Sequence, residues 1–142
     1  MKIVVTGANG FLGSWVTKAL VAEKHEVYAL VRPRSDLSDL EGIDVRFVHG
    51  DVTDPASLAK AFEGADTVFH LAGVVAYKKS QRSLMEKVNV EGTRNVVEAC
   101  RKAKIRRLVH LSSVTAIGAG SGPDEILNEN SPFNLAAYDL GY

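Results

Sequence analysis

Apolar positions along the chain fall into two alternating rhythms. Short β-branched runs at Lys2–Thr6 (KIVVT), Glu26–Val31 (EVYALV), 45–49 (VRFVH), 66–71 (DTVFHL) and 107–111 (RLVHL) have the length and composition of strands, the first fit to be buried on both faces. Between the first two, Phe11, Leu12, Trp15, Val16, Ala19 and Leu20 recur at spacings of three and four, one stripe of an amphipathic helix over 11–21. On that pattern Phe11 and Trp15 are expected in the core. Asp54-Pro55 opens a second helix, with Asp at the cap and Pro in the first turn, running to about residue 62 and stopping near Gly64. A long helix is predicted over roughly 80–102, and the Gly-, Ser-, Pro- and Asn-rich stretch 118–134 reads as a loop. Strands alternating with helices through short links predict an α/β fold: one doubly wound parallel sheet of about five strands, in a single domain over 1–142.

The 142 residues suffice for a sizeable core. Lys+Arg and Asp+Glu both number 17, so no net charge draws the chain to nucleic acid or to an anionic membrane. The densest basic run, RKAKIRR at 101–107, reads as a helix end whose cations meet the negative end of the dipole. Cys100 is the single cysteine, which precludes an internal disulfide, and its setting in VVEAC predicts core filling rather than a reactive thiol. The four histidines and this cysteine show no metal-ligand spacing, so no metal is expected. His70 and His110, on strands placed centrally, are expected to be buried and hydrogen-bonded. With no apolar leader and no segment of membrane-spanning length, the expected location is cytoplasmic.

The first strand runs into TGANGFLG, a Gly-x-x-Gly-x-x-Gly turn made by Gly7, Gly10 and Gly13. A glycine permits the sharp turn at 7, lets backbone approach a pyrophosphate at 10, and lets helix and strand pack closely at 13. The helix amino terminus that follows offers free N–H groups to phosphate. A dinucleotide is therefore the expected ligand. Binders of NAD place an acid at the tip of the second strand for the ribose 2′-OH; here the tip reads Val31-Arg32-Pro33-Arg34. Arg32, assisted by Arg34, suits a 2′-phosphate and argues for NADP ahead of NAD, and Asp36 lies too far along to count heavily.

These residues resemble the extended branch of the short-chain dehydrogenase/reductase superfamily, the NAD-dependent epimerase/dehydratases and dihydroflavonol-reductase-like enzymes. TGANGFLG resembles the branch's nucleotide turn, and Gly50-Asp51-Val52-Thr53-Asp54 the segment whose aspartate holds the adenine. His70-Leu71-Ala72-Gly73 resembles the stretch lining the nicotinamide ribose, Val88–Thr93 (VNVEGT) the pattern on the central helix, and Leu111-Ser112-Ser113-Val114 the strand end carrying the active-site serine. The resemblance implies a Rossmann sheet in strand order 3-2-1-4-5. It assigns cofactor contacts to Thr6, Gly7, Asn9, Gly10, Phe11, Leu12 and Gly13 in the turn. Further contacts fall to Arg32 and Arg34, to Asp51 and Val52, to Leu71, Ala72 and Gly73, and to Asn89. Asp51 as a turn cap and Asn89 as a helix brace are the competing readings.

The implied activity is that of a reductase or epimerase. A tyrosine phenol exchanges a proton with the substrate oxygen while hydride moves to or from the nicotinamide; a serine bonds the same oxygen, and a lysine four residues past the tyrosine lowers the phenol's pKa. Counting back from Ile117-Gly118 gives Ser113 the active position and makes Ser112 its packing neighbour; Ile117, where the family carries tyrosine, leaves the pocket more apolar. Tyr138 would need lysine at 142, where Tyr142 stands, so Tyr142 is the catalytic candidate, with its lysine expected at 146. Against the family pattern the later strands and the substrate lobe are missing. The chain is therefore expected to be a fragment with one sheet face bare near the fourth and fifth strands, and a homodimer over that face. Lys78, Lys79 and Arg82 read as a solvated face, or as an attractor for an anionic substrate. The alternatives to an enzyme part are a dinucleotide sensor without chemistry and an interaction subunit.

Overall fold

The computed structural model describes residues 1–76 and 78–137, without the side chain of Lys79. Tyr138 and Tyr142 lie outside the described residues. Five strands, β1 (Lys2–Thr6), β2 (Glu26–Val31), β3 (Arg46–His49), β4 (Thr67–His70) and β5 (Arg107–His110), form one sheet in the order β3-β2-β1-β4-β5. Every pairing is parallel. The strand bounds agree with the sequence pattern to within one residue.

Helix α1 (Phe11–Ala22) packs on one face of the sheet, over Ile3, Val5, Val27, Ala29 and Val31. Helix α2 (Pro55–Ala61) packs on the other, over Val4, Leu30 and Val68, and is capped by the Asp54 side chain accepting from Ala56 N at 3.0 Å. The predicted long helix is broken in character. A 3-10 turn at Lys79–Gln81 leads into α3 (Arg82–Met85), a π-helical segment at Glu86–Glu91, and α4 (Gly92–Lys102). Cys100 is buried in the second core cluster, where burial pushes its thiol up to about 11; it fills space, as expected. Arg101 and Lys102 occupy the last turn of α4, as the helix-end reading of the basic run requires.

Two expectations are overturned. Phe11 and Trp15 are 84% and 61% exposed, not core. The buried residues of α1 are Gly13, Ser14 and Thr17: over its first turns the helix lies so close to the strands that small side chains face them and Phe11, Leu12 and Trp15 turn outward, while Leu20 and Val21 near its end still pack against the core. His110 is exposed because β5 is the end strand of the described sheet, so only His70 is buried. On the α1 side of that edge Val109 and Leu111 are also exposed, the bare area that the pattern anticipated.

Helix α4 ends in a Schellman turn, with Ile105 N donating to Cys100 O at 2.9 Å and Lys104 N to Arg101 O at 3.2 Å. Lys104 thereby takes φ 55°, a position that favours glycine. Lys104→Gly is expected to raise stability by about 0.5 kcal/mol, the relief of left-handed strain being partly offset by the freer unfolded chain. Urea denaturation at pH 7 reads it, and a loss of stability contradicts the strain.

Candidate functional site

The sheet order reverses between β1 and β4, and the carboxyl ends of β1, β2, β3 and β4 open there on a crevice of about 240 Å³. Thr6, Gly7, Asn9 and Gly10 form its floor, Arg32 and Asp51 stand at its sides, and Leu71, Ala72 and Gly73 form the far wall. Of the residues singled out in the sequence, Val52 also lines it, whereas Phe11, Leu12, Gly13, Arg34 and Asn89 do not.

The turn has a defined mechanics. Gly7 sits at φ 68°, and a Cβ there would meet the backbone of Ala72 at 2.7 Å, so the turn is pressed against the end of β4. Gly13 presses as tightly on the turn itself: a Cβ there would lie 1.9 Å from Gly7 O. Gly10 differs. Its φ of −81° suits any residue, and a Cβ would touch only Gly7 O at 3.3 Å. Gly10 precedes α1 with no side-chain cap among the described residues, and no acid lies in the first turn. The first N–H groups of α1 thus keep their donors and the positive end of the dipole at the crevice, an arrangement that suits an anion.

Around the floor, several polar groups have structural work. The Asn9 side chain donates to Asp36 O at 3.1 Å, strapping the loop after β2 to the glycine turn, and the Asp36 carboxylate accepts from Ser38 N at 3.0 Å. That bond holds the Asp36 carboxyl below its usual range, and Asp36 does not line the crevice. Arg34 is exposed with φ 67°. Asp51 Oδ1 accepts from both the N–H and the hydroxyl of Thr53 at 2.8 Å, so Asp51 caps a turn while also facing the crevice.

A second cavity, of about 700 Å³, lies beyond the far wall. Ser112, Ser113 and Thr115 line one side and Val75, Met85, Val90, Leu111, Phe133 and Leu135 give it an apolar majority; Arg82 stands at it too. Ser113 caps the 3-10 turn Val114–Ile117: its Oγ accepts from Thr115 N at 3.2 Å and from Thr115 Oγ1 at 2.8 Å. With those two bonds on its lone pairs, the Ser113 hydroxyl proton is left for another acceptor. The loop beyond is pinned by Asn134, which accepts from Ala119 N at 2.9 Å and donates to Ala119 O at 2.8 Å, and this brings Phe133 and Leu135 to the cavity.

Residues 71–74 line both spaces and form a partition. Asn89 anchors one end, its Oδ1 accepting from Val74 N at 2.8 Å and its Nδ2 donating to Val74 O at 2.9 Å. Its amide is committed to the brace rather than to the crevice, and the π segment is what aims it there. Leu30, Gly50, Val74 and Val88 in the crevice, and Thr93, His110 and Phe133 in the cavity, were not singled out as site residues from the sequence; the rule that ligands bind at strand carboxyl ends points to the first two.

A family model described as NAD dependent epimerase/dehydratase matches residues 3–140. The chain belongs to that family. Sterol demethylase protein B of Methylococcus capsulatus is 38% identical over 136 residues, covering 94% of this chain and 41% of that protein. Cinnamoyl-CoA reductase 1 of Oryza sativa subsp. japonica is 40% identical over 136 residues, covering 89% of this chain and 39% of that protein. Among solved structures, the UDP-glucose 4-epimerase of Thermus thermophilus in complex with NAD superposes with a TM-score of 0.80 at 30% identity, over 93% of this chain and 44% of that one. The chain therefore spans about two-fifths of the length of these relatives. Family membership makes a nicotinamide dinucleotide the cofactor class, and the switch-point crevice is where a Rossmann sheet receives one.

Proposed function

We propose that this chain supplies the dinucleotide half of an NADP-dependent oxidoreductase or epimerase whose substrate carries a carbonyl or secondary alcohol. The observation that carries the reading is the uncapped amino terminus of α1 opening on a crevice floored by Gly7 and Gly10. The diphosphate would rest on the α1 amides and Gly10, Asp51 would meet the adenosine part, and Leu71–Gly73 would flank the nicotinamide ribose. Arg32 at the crevice side favours a 2′-phosphate, the basis for NADP over NAD. When bound, the nicotinamide supplies or accepts hydride.

Ser113 would donate its free hydroxyl proton to the substrate oxygen, and Tyr142 would exchange a proton with the same oxygen. The apolar lining of the second cavity, together with relatives named sterol demethylase protein B, cinnamoyl-CoA reductase and 2-alkyl-3-oxoalkanoate reductase, favours a largely apolar substrate over a sugar nucleotide. A cytoplasmic location, resting on the unpaired buried Cys100, and a homodimer over the bare area at Val109 and Leu111 belong to the same reading.

Equilibrium titration with NADPH and NADH, followed by nucleotide fluorescence, tests the cofactor site. NADPH is expected to bind more tightly, and Arg32→Ala to weaken NADPH about tenfold while leaving NADH unchanged, the loss of one charge-assisted bond. Gly10→Ala is expected to fold with nearly unchanged stability yet weaken both nucleotides about tenfold or more, because the new methyl stands where the diphosphate approaches. If neither nucleotide binds at millimolar concentration, the reading fails.

A further inference from the structure

The partition between the two cavities has a second anchor, buried within the sheet. Ala72 N donates to Thr6 Oγ1 at 3.2 Å, Thr6 Oγ1 lies 2.7 Å from His70 Nδ1, and His70 Nε2 lies 3.0 Å from Thr93 Oγ1. Thr6 and His70 are fully buried, while Thr93 is half-buried and lines the second cavity.

Hydrogen-bond accounting fixes the direction of this chain. If His70 carried its proton on Nδ1, that N–H would donate to Thr6, and the Thr6 hydroxyl proton would be left without an acceptor among the described residues, in a fully buried site. With the proton on Nε2, every group is satisfied. Thr6 accepts from Ala72 and donates to Nδ1, Nε2–H donates to Thr93, and the Thr93 hydroxyl proton is left for the second cavity, where water or a ligand can take it. Burial and the stacked His110 ring, 5.2 Å away, both disfavour the imidazolium, so the neutral ring is the resident form.

We propose that Thr93 and His70 are positioning residues: Thr93 holds His70 as the Nε2–H tautomer, His70 orients the Thr6 hydroxyl, and that hydroxyl clamps Ala72 in the wall of the dinucleotide crevice. The same chain presents the Thr93 hydroxyl as a donor to a polar group in the second cavity. The consequence for cofactor binding rests on the reading above; the tautomer and the clamp do not.

The test uses the full chain, isotopically labelled with nitrogen-15. Long-range proton–nitrogen correlation is expected to show His70 neutral with the proton on Nε2 at pH 7. In Thr93→Val each tautomer leaves one buried donor without a partner, Nε2–H or the Thr6 hydroxyl, so the single Nε2–H form is expected to give way to a mixture of the two and the Ala72 amide to exchange about tenfold faster, whereas Thr93→Ser keeps both at wild-type values. NADPH affinity, measured in parallel, is expected to fall about threefold to tenfold in Thr93→Val and to recover in Thr93→Ser. A wild-type His70 protonated on Nδ1, a charged ring at pH 7, or a Thr93→Val variant with unchanged ring nitrogens overturns the proposal, and the first two require no variant to fold. Should NADPH fail to bind the wild type, the cofactor reading is lost while the nitrogen spectra still decide the relay.

Discussion

Gly13→Ala is expected to cost about 3 kcal/mol of unfolding free energy or more and to abolish dinucleotide binding, although it adds one methyl group. That methyl would lie 1.9 Å from Gly7 O, 2.8 Å from Gly7 C and 3.0 Å from Ala8 Cα, all backbone atoms of the turn. No side-chain rotation relieves such a contact. Either α1 lifts from the sheet, unseating buried Ser14 and Thr17 and the helix contacts with the cluster around Ile3 and Val5, or the Gly7 turn is pushed into Ala72. Both routes move the α1 amides away from the crevice floor. Gly10→Ala is the matched control, because it places a methyl in the same turn where only one atom, Gly7 O at 3.3 Å, must give way. Urea denaturation and NADPH titration of the two variants should therefore separate: Gly13→Ala loses stability and binding together, Gly10→Ala loses binding alone. Wild-type stability in Gly13→Ala would show that the turn has slack the packing denies.

The difference between these two glycines shows where the sequence was legible. Spacing and flanking elements were enough to predict a strand, a tight turn and a helix, and the strand order follows from parallel crossovers of one hand together with the family resemblance. Asp54-Pro55 marked the start of α2 because cap chemistry is local. The outward turn of Phe11 and Trp15 was not legible, since the stripe of large apolar residues on α1 hides the rule that decides the helix's orientation. At the closest helix–strand approach it is Gly13, Ser14 and Thr17, the small residues, that face the sheet.

The π segment was hidden for a related reason. Helical periodicity over 80–102 contains no signal for one widened turn, yet that turn aims Asn89 at Val74 and decides that its amide braces the partition. The exposure of His110 was likewise a matter of context, because strand composition does not say which strand ends a sheet. Among the expected residues that do line the two cavities are those whose type suggested the chemistry: glycine at the turn, arginine at the strand tip, serine at the strand end. The residues missed, among them Thr93, act through a neighbour, and only three-dimensional adjacency reveals them.

Acid should destabilise this fold before its carboxylates titrate fully, through His70. Burial, and secondarily the His110 ring stacked 5.2 Å away, push the folded-state pKa of His70 down to about 4, whereas the unfolded chain titrates near 6.5. Above pH 6.5 neither state binds the proton and the full stability is present. As pH falls from 6.5 toward 4 the unfolded chain takes up a proton that the folded chain refuses, so stability falls throughout that window and levels off only below it. By this group alone the loss between pH 7 and pH 5 is roughly 2 kcal/mol, a large share of the reserve of a small domain. The groups that face the ring are the Thr6 hydroxyl from β1, the Thr93 hydroxyl from α4 and the His110 ring from β5, and neither hydroxyl titrates in this range. Urea midpoints at half-unit pH steps from 8 to 5 measure the slope. His70→Asn retains a donor and an acceptor near the Nδ1 position and does not titrate, so its own stability profile should be flatter by about the same 2 kcal/mol over that interval, whatever its absolute stability. Equal slopes for the two proteins would mean that His70 takes its proton inside the folded chain as readily as outside it, and the buried neutral ring at the centre of the partition would have to be abandoned.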